Sequence, residues 1–112
     1  MGWQVIIGPS ARSDLAEIVR YIADHNSDAA ARLGFELITR AEGLASFPEM
    51  GRAVPEFRQP DLREIICRSY RIIYRVQREH QRIQIVRFWH GARGFPHIPG
   101  ESRASPDARN ST

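Results

Sequence analysis

Residues 70–93 read YRIIYRVQREHQRIQIVRFWHGAR, and the alternation of apolar and charged positions within them decides the fold. Two runs rich in Ile, Val, Tyr and Phe flank the polar residues 77–82, the pattern of a β-hairpin with a loop of a few residues. Successive side chains of a strand point to opposite faces. Tyr70, Ile72, Tyr74 and Val76 therefore share one side of the first strand, and Arg71, Ile73 and Arg75 share the other. One face is apolar and the other carries guanidinium groups. The second run, residues 83–90, is apolar at nearly every position, as expected of a strand covered on both faces in the middle of a sheet. It ends in His90-Gly91-Ala92-Arg93, which delivers an imidazole and a further guanidinium to a strand end.

The rest of the chain supplies what such a sheet needs. Residues 3–7 (WQVII) form a short apolar run closed by Gly8-Pro9, a first strand. Leu15, Ile18, Val19 and Ile22 recur at helical spacing over residues 11–24, with Ser10 placed to cap and with Asp14 and Glu17 towards the positive end of the dipole. Asn26 or Ser27 caps a second helix over residues 28–47, whose stripe is Ala30, Leu33, Leu37, Ala41 and Leu44 and whose stop is Pro48. Residues 48–60 (PEMGRAVPEFRQP) hold three prolines and a glycine and are expected to be a loop. Residues 62–68 (LREIICR) give a strand joined to the hairpin through Ser69. The expected fold class is α+β: a strand, a two-helix hairpin, then a three-stranded antiparallel meander. These build one mainly antiparallel sheet with the helices on one face and an Arg-studded face opposite. Residues 1–95 are expected to form the single domain. Residues 96–112, rich in Pro, Gly and Ser, have the composition of a largely disordered tail, with Phe95 and Ile98 able to dock at its root.

Composition narrows the function classes. At 112 residues the chain can fold as one domain without staples, and its lone cysteine, Cys67, permits no internal disulfide, so a cytoplasmic location is expected. No apolar run approaches a membrane-spanning length, and the four histidines (25, 80, 90 and 97) lack metal-ligand spacing. No phosphate-cradling glycine loop is present, and neither a cofactor nor a metal is expected. All 16 basic residues are Arg, unevenly placed: residues 1–57 carry net −3, residues 58–93 net +6, and residues 94–112 net 0. An acidic half beside a basic one fits a footprint for phosphates or for an acidic protein, and equally a solvated sheet face.

Taken in order, several pieces resemble the RelE/ParE superfamily of bacterial toxins, the toxic halves of type II toxin–antitoxin pairs. They are Ala11 with Asp14-Leu15 and Ile18 to Tyr21, Leu44 to Pro48 with Gly51-Arg52, Leu62-Arg63, Tyr70-Arg71-Ile72-Ile73-Tyr74-Arg75-Val76, and His90-Gly91-Ala92-Arg93. The resemblance implies one of two activities. RelE-like members cleave messenger RNA in the ribosome, which requires a base for the ribose 2′-OH, cations for the phosphoryl charge and a proton for the leaving oxygen. On that alternative Arg71 resembles the family's catalytic Arg, Arg93 its second phosphate-binding Arg, and His90 is the candidate acid or base. Arg63 on the neighbouring strand could join them. ParE-like members bind DNA gyrase and break no bond. This chain has no lysine and no Tyr after Arg93, and its YRIIYRV strand and HGAR ending look more like the ParE type. The expectation is therefore a gyrase-inhibiting toxin, not an enzyme, with a ribosome-dependent endoribonuclease as the alternative and a non-toxic antitoxin-binding domain as a third. The expected partner is a cognate antitoxin offering an acidic, partly disordered segment. The expected contact residues for target or antitoxin are Arg63, Arg71, Arg75, Arg87, Trp89 and Arg93. Residue by residue, bland roles stand beside these: His90 bonded to a loop, Arg71 and Arg75 paired with Glu64 or Glu79, Trp89 in the core or as a stacking platform, Cys67 a buried hydrophobe.

Overall fold

The computed structural model describes residues 2–101. Strand β1 (Gln4–Ile7) leads into helices α1 (Pro9–Ala23) and α2 (Ser27–Glu42). The chain then runs through a 3-10 turn (Gly43–Ala45), β2 (Arg52–Ala53), β3 (Leu62–Cys67), β4 (Tyr70–Gln77), a second 3-10 turn (Arg78–His80), β5 (Arg82–His90) and a last one (Gly91–Arg93). The order across the sheet is β1-β5-β4-β3-β2. The β5 strand is an inner one, parallel to β1 on one side and antiparallel to β4 on the other, which is why it is apolar almost throughout. The β2–β3 and β3–β4 pairs are antiparallel. The fold is α+β with a mixed five-stranded sheet.

Local chemistry departs from expectation in three places. The α1 N-cap is Gly8, with Pro9 in the first helical position, so the fixed φ of proline starts the helix and no Ser10 cap is used. The Asn26 side chain caps α2 by accepting from Ala29 N, and α2 ends at Glu42, where the 3-10 turn tightens the last carbonyls and leaves Phe47 outside and exposed. Within the expected 48–60 loop, Arg52–Ala53 pairs with β3 as a fifth, two-residue strand that a sequence period cannot register.

The larger departure concerns the face away from the helices. On the helix side Ile72, Tyr74 and Val76 of β4 and Ile83, Ile85 and Phe88 of β5 pack with Leu37, Ala41 and Leu44. On the opposite side Ile73, Val86 and Trp89 form a second core with Leu62 and with Val54, Phe57 and Ile98 from the flanking loops. The expected open, Arg-studded face is therefore largely covered, because Ile73 and Val86 present apolar surface there that loops 54–60 and 95–101 bury. A bulge makes room for this: Ile73 opposes Arg87 but Tyr74 opposes Ile85, leaving Val86 without a partner, so Ile85 and Phe88 both keep to the helix side. The segment expected to be a tail from residue 96 packs through Ile98 and Glu101; residues 102–112 lie outside the described residues.

Gly51 joins β2 to this frame. Its N–H donates to the buried Tyr74 hydroxyl at 3.0 Å, and Arg63 Nη1 donates to its carbonyl at 2.7 Å. A Cβ here would meet Glu64 O at 2.4 Å and the Tyr74 hydroxyl at 2.7 Å. Gly51→Ala is expected to destabilise the fold by about 1–3 kcal/mol through this overpacking, read as a lower denaturant midpoint at unchanged slope.

Candidate functional site

The six expected contact residues do not form one cationic surface. Arg63 opposes Tyr74 across the β3–β4 ladder, which puts it on the helix side of the sheet, where its side chain is tied to the Gly51 carbonyl. Arg71, Arg75, Arg87 and Trp89 belong to the other face, but each of those three guanidiniums already has a carboxylate partner.

Arg71 is closed by two carboxylates. Its side chain is 12% exposed; Nη1 and Nη2 grip Glu56 at 2.9 and 2.7 Å, and Nε donates to Glu64 at 2.6 Å. Glu64 is 1% exposed and also accepts from Arg52. At that depth the charged donors replace the hydration the carboxylate has lost. The hydrogen bonds it donates to Glu56, and then to Glu64, make the Arg71 guanidinium hold its proton more tightly than usual, and Glu56 is in turn held below the ordinary glutamate range by accepting from Arg71. Arg75 bonds Glu101 and the Pro99 carbonyl, both at 3.0 Å, and Gln59 donates to the same carboxylate at 2.6 Å. Glu101 is accordingly lowered, chiefly by Gln59 and then by Arg75.

Arg87 is paired across the fold with Asp14, 73 residues earlier, by Nε at 2.7 Å and Nη2 at 2.6 Å. Asp14 also accepts from Phe88 N at 3.1 Å. Strand β1 pairs β5 only as far as Ile85, so this carboxylate takes over the β5 edge where β1 stops and fastens α1 to it. The β5 end beyond is arranged around Trp89. Its Nε1 donates to Gly94 O at 3.2 Å, and the Arg93 and Arg87 guanidiniums lie 3.9 and 4.7 Å from its ring centroid, cation–π geometry in both cases. Trp89 thus serves the second core and a cation stack at once.

His90 belongs to the other side of the strand. Its ring meets Tyr70 edge-on at 5.1 Å, and Nδ1 accepts from Ala92 N at 3.0 Å, capping the last 3-10 turn. The expected bond to a loop is thus present, with a backbone N–H as its donor. His90 opposes Tyr70 while Arg71 opposes Trp89, so the sheet lies between the imidazole and the Arg71 guanidinium. His90 and Arg93 do share a groove of about 540 Å³ between α1 and the ends of β4 and β5, with Glu17, Ile18, Tyr21 and Ile22 on the helix side. Cys67 is buried, its thiol held up by burial and then by neighbouring Glu36. Among the described residues no three His, Cys, Asp or Glu side chains are grouped to hold a metal ion, and no helix is long and apolar enough to cross a membrane.

The matches to known proteins fit this architecture. Residues 5–95 match the family model described as the ParE toxin of the type II toxin–antitoxin system parDE. The chain belongs to the ParE toxin family. The fold is similar to a solved structure of the chromosomal ParDE system from P. aeruginosa, at 19% identity and a TM-score of 0.65, covering 79% of this chain and 95% of that one. It is also similar to the RelBE2 toxin–antitoxin complex from Mycobacterium tuberculosis, at 22% identity and a TM-score of 0.61, covering 80% and 92%. No curated protein matches the sequence significantly. The ParE match takes in the Arg71 ion network, the Asp14–Arg87 pair and the groove, and ends before Ile98 and Glu101 close over the second core.

Glu56 and Glu101 escaped detection as partners of Arg71 and Arg75 because both lie on loops far away in sequence. Asp14 was legible only as a helix residue. Glu64 did carry a signal, a lone acid among apolar residues in LREIIC. Since Glu56 and Glu101 titrate below the ordinary glutamate value of about 4.3 when folded, their contribution to stability is complete above that value and is lost as pH falls through the lowered ones. Denaturation midpoints should stay level from neutral pH down to about 5 and drop below it, and Glu56→Gln should make that drop shallower.

Proposed function

We propose that the chain is the toxin of a type II toxin–antitoxin pair that acts in the cytoplasm by binding DNA gyrase, without breaking a bond. The observation that carries this is the closure of Arg71 by Glu56 and Glu64. A guanidinium that is to neutralise a phosphoryl group must present its fork to that group. Here Glu56 occupies the fork and Glu64 takes Nε, and drawing Arg71 away would leave the buried Glu64 with Arg52 alone. The position of His90, across the sheet from Arg71 and engaged at Nδ1 by Ala92 N, adds to the case against a ribonuclease assembled from Arg71, His90 and Arg93. Binding fits the remainder: a small rigid frame with ion pairs that hold shape, and a concave groove at one sheet end.

On this proposal the toxin is neutralised by a cognate antitoxin with an acidic, partly disordered segment that folds as it binds. Membership of the ParE family supports such a partner, and the two similar solved structures come from toxin–antitoxin systems.

Tightly controlled expression tests the target. The expected result is growth arrest with induction of the SOS response and gyrase-linked DNA breaks while messages stay intact, and loss of supercoiling when purified toxin is added to purified gyrase. Rapid translational arrest with cut messages and no SOS response would replace this proposal with the ribosome-dependent nuclease.

A further inference from the structure

From the groove between α1 and the ends of β4 and β5 we infer a docking site, on the gyrase-binding proposal above, for a segment of the target protein that offers a carboxylate beside a bulky apolar side chain. Three observations converge on it. The groove, about 540 Å³, falls in the size range of built binding sites, and its walls are apolar: Ile18, Tyr21 and Ile22 from α1 face Tyr70 and Phe88 from the strands. Tyr21 is 71% exposed, although its ring could cover apolar surface. An exposed aromatic on the rim of an apolar concavity is the composition of an interface anchor point.

The second observation is the state of Arg93. Arg71, Arg75, Arg78 and Arg87 each pair with carboxylates, whereas among the described residues Arg93 has the Trp89 ring as its contact and no carboxylate within ion-pair distance. It is nevertheless fixed in place: Trp89 is tied to Gly94, Arg87 lies against the same ring, and Asp14 holds Arg87. A cation oriented before its anion arrives loses little side-chain freedom on binding. Beside it, His90 uses Nδ1 to accept from Ala92 N, so its remaining nitrogen is a donor. Two donors at one end of an apolar groove match a carboxylate next to an apolar anchor.

The third observation separates a protein from a nucleic acid. A phosphodiester chain is held by several cations along its length. This groove presents Arg93 at one end and the carboxylates of Glu17 and Asp14 along α1, the latter neutralised by Arg87. That layout repels a run of phosphates while accepting one carboxylate.

The test compares full-length wild type with Arg93→Glu, Tyr21→Ala and a control, Phe35→Ala, whose side chain is 75% exposed on α2 outside the groove. Binding to purified DNA gyrase, thermal unfolding and growth arrest are measured for each. Arg93→Glu and Tyr21→Ala are expected to weaken gyrase binding at least tenfold and to blunt growth arrest, with melting temperatures and Phe35→Ala binding unchanged. Wild-type affinity in both groove variants would overturn the inference and leave the gyrase proposal standing. Should wild type arrest growth without binding gyrase, the gyrase proposal falls, and the site falls with it if both groove variants still arrest growth fully. Two further outcomes overturn it: an RNA oligonucleotide retained by wild type and lost in Arg93→Glu, or an antitoxin whose binding, and not that of gyrase, is abolished by both variants.

Discussion

A carboxylate buried in the wrong place organises this protein. Glu64 lies in the sheet with almost none of its surface in water, on the face that also holds Ile73 and Leu62. An unpaired anion there would be untenable, so Arg52 and Arg71 converge on it and Arg71 reaches on to Glu56. That chain of charges ties β2 to β3, β3 to β4, and loop 54–60 to all of them. The same loop brings Val54 and Phe57 over Ile73. The ion network and the second core thus fix one another: the apolar residues exclude the water that would weaken the ion pairs, and the ion pairs hold the loop that supplies the apolar residues.

A second carboxylate sets the other end of the sheet. Where β1 stops, Asp14 accepts from the Phe88 amide and grips Arg87, which fastens α1 to the end of β5. Trp89 and Arg93 inherit their orientation from that clamp. The consequence for function is a division among the arginines. Those in the middle of the sheet hold the architecture, whereas Arg93 at its end lies over Trp89 and has no carboxylate partner among the described residues. A net charge of +3 conceals this, because much of the basic excess of residues 58–93 is matched by acids brought from elsewhere in the chain.

Residues 70–93 announced the sheet because their periods are unambiguous: alternation in β4, a nearly unbroken apolar run in β5. The α1 and α2 stripes were equally plain, so the α+β layout followed from local pattern. What local pattern could not carry was the fate of the second face. Ile73 between Arg71 and Arg75 read as one apolar residue on a polar side; the bulge that adds Val86 to it, and the loops that cover both, depend on contacts between distant segments. Pairing of Arg71 with Glu64 across the ladder was legible beside its catalytic resemblance; what stayed hidden was Glu56, on a proline-rich loop that no spacing rule links to Arg71. His90 was legible as a strand-end residue, but alternation counted through the hairpin was needed to see that it and Arg71 emerge on opposite sides.

Arg71 is a structural cation that neutralises Glu64, and the decisive measurement replaces the two together. Arg71→Met leaves the buried Glu64 with Arg52 alone, and Glu64→Leu leaves Arg71 with Glu56 alone; each should cost about 1–3 kcal/mol in denaturant unfolding. The double variant exchanges the pair for apolar volume and should recover most of that loss while still arresting growth. A double variant that is folded and stable yet harmless to the cell would contradict the claim, since Arg71 would then be needed for contact with the target itself.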